Sequence, residues 1–400
     1  MKNTGIFLSL CLFFCATAVA QKNGIYNVAD FGARGDGKRD CSAAFQKAMD
    51  AIVRDGGGQL FIPKGEFLIL KQVQAEAPKL AFSILGLGLG VSNLLCDNSE
   101  GVFRFRYTEI NSQITLRDFS LFAMREGAGT AIDIEHRSKG NSHHRALMVE
   151  NVEMRSHDNR KDYFDVGLRA QDVWRPIFSA VVFAGPFGRG VSSNLSESSP
   201  IYRARIAFDV SGAYAPRFQN CYAWSAQTGY KLVDPDNPGA EDGTLLNSYA
   251  VECAIGVDVM TTGVEPQLLI DGGHYNCRDV GIKIVGRKFV NIVNCLMYNV
   301  DLQNQGPSNY VDIYLENCNN VIVANNIFQF KGRAERTNVM VTGRSFSIDI
   351  KQNRFNAYAN AVTVEAGCKD VNFTGNGFAP YVTDKLRDRS GGGVITDIKL

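Results

Sequence analysis

Net charge is the first thing this chain lacks: 42 Lys and Arg stand against 41 Asp and Glu over 400 residues, a formal charge of +1. With no basic surplus to meet a phosphate backbone, nucleic acid is not an expected partner. Absent too is an apolar stripe at i, i+3, i+4 recurring along the chain, which excludes leucine-rich and helical-hairpin repeats. The apolar run from Ile6 to Phe14 is too short to span a bilayer. No linker interrupts the pattern. A length that would ordinarily mean two or three globular domains therefore reads as one elongated domain over 21–400, with 21–70 forming its N-terminal cap and first coil.

In place of those features the chain restates a short phrase, an Asn or small residue, a spacer, then an aromatic or apolar residue. It reads Asn220-Cys221-Tyr222, Asn247-Ser248-Tyr249, Gly273-His274-Tyr275, Asn294-Cys295-Leu296, Asn326-Ile327-Phe328, Asn353-Arg354-Phe355 and Asn376-Gly377-Phe378. Copies recur roughly every 21 to 32 residues, the period of a solenoid whose turns bury their apolar faces only against one another. The runs between copies alternate with period two, as in Ile255-Gly256-Val257-Asp258-Val259 and Val280-Gly281-Ile282-Lys283-Ile284, which are strand signals. The expected fold is all-β: a single-stranded right-handed parallel β-helix of about ten coils. One Asn per coil would serve both as a residue tolerant of the left-handed conformation and as a rung bonding to the Asn stacked on it.

Lys2, the run Ile6 to Phe14 and Ala18-Val19-Ala20 before Gln21 read as a cleavable signal peptide over 1–20, so a secreted or periplasmic location is expected. Eight cysteines follow the leader, and most read as small buried core residues. Cys253 and Cys277, at similar places in adjacent coils, are the one pair positioned for a disulfide.

After the leader come Tyr26-Asn27-Val28-Ala29-Asp30-Phe31-Gly32-Ala33-Arg34-Gly35-Asp36-Gly37, an amphipathic helix with Ala44, Phe45, Ala48, Met49 and Ile52 on one face, Gly56-Gly57-Gly58, and Phe61-Ile62-Pro63-Lys64-Gly65. This opening resembles the pectate-lyase-like superfamily, which includes rhamnogalacturonase-like, epimerase-like and glycoside hydrolase family 28-related β-helix proteins. Physically, a helix around Ala43 to Val53, capped by Asp40 and stopped by the glycines, would lid the open end of the stack and cover its strand edges. The resemblance implies a carbohydrate-active protein, but the family 28 hydrolase motifs do not carry over. The chain has no Asp-Asp pair, and Gly273-His274-Tyr275 lies too close to Gly281-Ile282-Lys283 to serve as two separate motifs.

Aligning coils on their inward residues leaves one outward residue per coil: Arg104, Asp133, Arg169, Asp209, Lys231, Asp258, Lys283 and Asp312. Their signs alternate, so in-register neighbours form a charge ladder about 34 Å long. Small residues two positions earlier, Gly167, Ala207, Gly229, Gly256 and Gly281, suggest a shallow trough beside it. Asp209, Lys231, Asp258 and Lys283 are the catalytic candidates, since a cation can neutralise a uronate carboxylate while a neighbour moves a proton. Arg169, Asp312, Arg203 and Arg205 are the candidate substrate-binding residues, the last two in the long insertion 185–205.

Weaker constellations complete the reading. His136, His143, His144 and His157 are four of only five histidines and cluster near Asp158 and Asp162, while Asp234, Asp236, Glu241 and Asp242 form an acidic loop able to hold Ca²⁺. No metal or cofactor is firmly implied. Gly86-Leu87-Gly88-Leu89-Gly90 lacks a βαβ context and reads as a turn. Two functions stay open. The favoured one is a secreted glycoside hydrolase or polysaccharide lyase cleaving or modifying an acidic or pectin-like polysaccharide; the alternative is a noncatalytic glycan-binding or envelope β-helix. Oligomeric state is not legible.

Overall fold

The computed structural model describes residues 24–138, 145–158, 161–186, 203–234, 242–261, 267–300, 310–331, 336–356 and 359–397. Each turn contributes a strand to each of three sheets, and every strand pairs in parallel with its counterpart one turn away. Sheet I runs through segments such as Ile177–Ser179, Arg217–Gln219 and Gly243–Leu246. Sheet II includes Val182–Ala184, Tyr222–Trp224 and the first part of Tyr249–Thr261. Sheet III includes Val166–Gln171, Ile206–Asp209, Thr228–Asp234 and the second part of Tyr249–Thr261. The stack has about eleven turns, close to the ten expected, and forms the expected right-handed parallel β-helix.

Period-two alternation produces this shape because each strand sends every second side chain into a shared axial core, where like stacks on like. Phe328 and Phe355 stack nearly parallel at 4.7 Å, and Phe208 stacks on Tyr230 at 5.0 Å. Phe328, Phe355, Phe208 and Tyr230 are all fully buried.

At the N-terminal end the helix Ser42–Arg54 lids the stack, burying Ala44, Phe45, Ala48, Met49 and Ile52 with Phe45 edge-on to Phe67. Its N-cap is Cys41, not Asp40. One position earlier, Asp40 still satisfies the first turn by accepting from the Ser42 amide at 2.9 Å. Gly56 in the left-handed region and the Gly57 amide bonding to the Ile52 carbonyl end the helix as a glycine stop should.

The repeated phrase turns out to combine two columns one residue apart. The bend from sheet I to sheet II needs a left-handed residue in every turn, supplied by Asn220, Asn247, Gly272, Asn294, Asn325, Gln352 and Gly375. The next residue turns inward, and there the asparagines stack. Asn326 donates its side-chain amide to Asn353 Oδ1 at 3.1 Å, and Asn353 donates likewise to Asn376. Each Oδ1 also accepts the backbone N–H of the turn before it. Conformational tolerance and stacking therefore fall to different residues. The offset also means that the phrase's last residue points inward in Tyr275, Phe328 and Phe355 but outward in Tyr222, Tyr249 and Leu296.

The eight described cysteines are buried, and none forms a disulfide. Cys253 and Cys277 are register partners, as their spacing suggested, but each thiol donates to a main-chain carbonyl, Cys253 to Ala223 and Cys277 to Ala250. Gly86 to Gly90 form a turn in which a side chain at Gly86 would strike the Asp118 carbonyl.

Candidate functional site

The charge ladder lies on the outer face of sheet III. Strand register pairs Arg104 with Asp133, Asp133 with Arg169, Arg169 with Asp209, Asp209 with Lys231, Lys231 with Asp258, and Asp258 with Lys283. Signs alternate over those seven rungs. The eighth differs from expectation: Lys283 pairs with Tyr314, and Asp312 sits two residues earlier, opposite Gly281. The inward pair Ile282 and Ile313 sets this register, whereas the sequence alignment had placed Ile313 one inward position too late.

Asp312 accordingly lies inside the solenoid, only 4% exposed, accepting from the Tyr310 hydroxyl and from the Asn338 amide, both at 2.6 Å. It cannot bind substrate on the outer face. The small-residue column of which it is the continuation faces inward as well. A Cβ on Gly167 would strike the buried Phe183 ring, and one on Gly256 would strike Cys277 Sγ. The expected trough is thus a crowded corner under the turn into sheet III, where Gly167 and Gly256 leave no room for a side chain.

Burial drives the Asp312 carboxyl up to about 6, against the hydrogen bonds of Tyr310 and Asn338 and the charge of Arg336. The unfolded value lies lower, near ~3.9. The native state therefore holds more protons between about pH 4 and 6, and stability declines as pH rises through that window, by roughly 2–3 kcal/mol. Asp312→Asn should flatten the decline. Thermal melts from pH 4 to 7 check this, and equal slopes in variant and wild type would contradict it.

At the N-terminal end of the ladder Asp133 is clamped. Arg169 reaches it with two bonds of 2.8 and 2.6 Å, and Arg106 with another at 2.5 Å. Burial alone would raise the Asp133 carboxyl, but the two guanidinium groups outweigh it and hold the group below the ordinary carboxylate range. Arg104 bonds to Gln74. Arg106 and Glu135, two residues beyond ladder positions, join the cluster through a 2.6 Å ion pair that the alternation of single rungs did not reveal.

The four central residues stay together on consecutive turns, the lysines about a third exposed and the carboxylates mostly buried. Lys231 Nζ lies 3.9 Å from Asp209 Oδ2, and Asp209 Oδ1 accepts from the Ser211 hydroxyl at 2.8 Å. Asp258 differs. Its Oδ1 is buried and takes no hydrogen bond, with Lys283 Nζ 3.4 Å away. Two residues further along the same strands, Val233, Met260 and Val285 stack in register, and Met260 is 38% exposed. Beside the charged column over these turns therefore runs an apolar one. Sequence reasoning missed it, although every one of its residues follows a ladder residue by two.

Arg203 and Arg205 lead into the sheet III strand Ile206–Asp209. Arg203 is paired with Glu126 at 3.1 Å, and the Arg205 amide donates to the Asp165 carbonyl. His136 is buried, stacked on Tyr107, with ring nitrogens on the Asp172 and Thr108 carbonyls, which is a structural role. His143, His144, Asp236 and Glu241 lie outside the described residues. Among the described residues no three His, Cys, Asp or Glu side chains group as a metal site, and no helix is long and apolar enough to cross a membrane.

A family model described as rhamnogalacturonase A/epimerase, pectate lyase-like, matches residues 25–94. Mannuronan C5-epimerase AlgE4 of Azotobacter vinelandii is 32% identical over 142 residues, 32% of this chain and 26% of that protein. Alginate lyase 7 of the same organism is 42% identical over 69 residues, 16% of this chain and 8% of its own length. The chain thus matches about a quarter of AlgE4 and less of the lyase. Among solved structures, the A-module of A. vinelandii mannuronan C-5 epimerase AlgE6 superposes with a TM-score of 0.64 at 17% identity, covering 94% of this chain and all of the module, a likeness of fold.

Proposed function

We propose that this chain is an enzyme that modifies an acidic polysaccharide, binding it along the outer face of sheet III and removing the proton on the carbon next to a uronate carboxylate. The observation that carries the reading is the central stretch Asp209, Lys231, Asp258 and Lys283, in register on four consecutive turns beside the apolar column of Met260. A sugar ring presents a C–H face and a polar edge, and this floor offers a partner for each. The relatives' names, mannuronan C5-epimerase and alginate lyase, favour proton abstraction over glycoside hydrolysis.

In this scheme Lys231 neutralises the sugar carboxylate, which lowers the cost of placing negative charge there. The Asp258 carboxylate, whose side chain is 17% exposed on this face, accepts the C5 proton. The C–H bond breaks and its electron pair moves into the carboxylate. Return of a proton to the opposite face gives the epimer. Expulsion of the C4 oxygen, which takes up a proton, gives a C4–C5 double bond and a cleaved chain. Both outcomes share the first step, so the assay must read both. Purified protein is incubated in D₂O with mannuronan and polygalacturonate, following deuterium at C5 by NMR and unsaturated ends by absorbance. Incorporation or unsaturation is expected with at least one acidic polymer; neither signal with any would overturn the reading. Export through the leader over 1–20 belongs to the same proposal, and mass spectrometry of chain from the native host should find it beginning near Gln21.

A further inference from the structure

Sheet II carries an unexplained outward ribbon. Val182, Tyr222, Tyr249, His274, Leu296 and Ile327 occupy one outer column on six consecutive turns, a length of about 24 Å. All are half-buried or exposed, with Ile327 47% exposed. Tyr222 and Tyr249 lie 6.0 Å apart, and His274 lies 5.8 Å from Tyr298 in the neighbouring column. Trp224, also in that column, donates its indole N–H to Glu252 at 2.9 Å, which fixes its ring. The column is charged only beyond its ends, at Glu153 on the turn before Val182 and Arg354 on the turn after Ile327.

We propose that this ribbon is a second saccharide-binding surface, which holds a distant stretch of the polymer while sheet III acts on another. A contiguous column of six apolar or aromatic residues on an outer sheet face is the kind of patch that marks an interaction site. Its chemistry selects the occupant. Burial lowers the pKa of His274, and no other residue of the column is ionisable near neutral pH, so the column would hold a uronan by its ring faces rather than by its carboxylates. Tyr, Trp and His present flat apolar bodies with polar tips, which suit the C–H faces and hydroxyl edges of pyranose rings better than a wholly apolar surface. The rung spacing of about 4.8 Å is close to the length of one sugar ring, so an extended chain can set successive rings on successive turns. The inference rests on the proposed function only for the choice of polymer.

Mannuronan is the probe. Retention in mannuronan-containing gels should fall roughly tenfold or more for Tyr222→Ala/Tyr249→Ala, the loss of two aromatic contacts, while turnover of a mannuronate trisaccharide, too short to reach both faces, stays at the wild-type level. Asp258→Asn should lose turnover yet keep retention. Wild-type retention without turnover, lost in the double variant, would support the ribbon while removing the proposed chemistry. Should the double variant fold poorly, Ile327→Lys on the exposed end of the column gives the same readout. Quenching of Trp224 fluorescence by mannuronan, taken as the difference from Trp224→Phe, is the second measurement. Unchanged retention in both variants, or wild-type protein that does not bind mannuronan, would overturn the proposal. So would a dimer that dissociates in the double variant, since the ribbon would then face a second copy of the chain.

Discussion

Asp258→Asn should lower turnover of the acidic polymer by about 10²–10⁴-fold, the usual contribution of a positioned proton acceptor, and leave the fold in place. The amide keeps the shape of the side chain but cannot take up the C5 proton. The stability cost is small because the Lys283–Asp258 contact is a loose, partly exposed pair at 3.4 Å, with side chains 33% and 17% exposed, worth about 1 kcal/mol. Asp209→Asn is the internal control. Asp209 already has Ser211 on one oxygen and Lys231 near the other, so its loss should reduce turnover less than the loss of Asp258. Lys231→Ala should match Asp258→Asn in size by removing the cation that neutralises the sugar carboxylate. Initial rates and thermal melts on the same preparations check all three. Wild-type rates in Asp258→Asn and Lys231→Ala would place the chemistry elsewhere, nearest the segment carrying Arg203 and Arg205.

The largest stability effect is expected inside the stack, at Asn353. Truncation to Ala removes the acceptor for both the backbone and side-chain N–H groups of Asn326 and the donor to the Val323 carbonyl. Asn353 is 2% exposed and Asn326 1% exposed, so water cannot replace these partners. Each orphaned buried group costs about 1–3 kcal/mol, which puts Asn353→Ala at about 3–5 kcal/mol. Asn325→Ala, one residue from the ladder, should cost less, because it strains only one left-handed position at φ 57°. Denaturant melts of the two variants separate the columns. Equal losses would mean that the bend conformation, not the ladder, holds the turns in register.

The parallel β-helix, the capping helix and the ladder from Arg104 to Lys283 were legible because each rests on a local period. Alternation assigns a side chain to the inner or outer face wherever a strand is regular, and the outward charges between Ile255 and Ile284 fall where that rule puts them. The rule failed where one residue decides register. Asp312 was assigned to the ladder and belongs to the core, because Ile313 rather than Val311 continues the inward column of Ile282. The Asn phrases failed in the same way: Asn220 occupies the bend and Asn326 the ladder, although both stand two residues before an aromatic.

By itself, then, the amino-acid sequence determined the repeat, the strand character of each turn, the lidded end and the sign of every central rung, since these follow from residue type and spacing along one chain. Only the tertiary structure decided which turn's residue meets which. Register between parallel strands depends on how long each connecting loop is and on which side chains close the core, and neither is written in any single turn. The apolar column of Val233, Met260 and Val285, the unbonded oxygen of Asp258, the inward turn of Asp312 and the outward ribbon through Tyr222 and Tyr249 are all consequences of that register. A shift of one residue in any turn would carry its side chains to the opposite face.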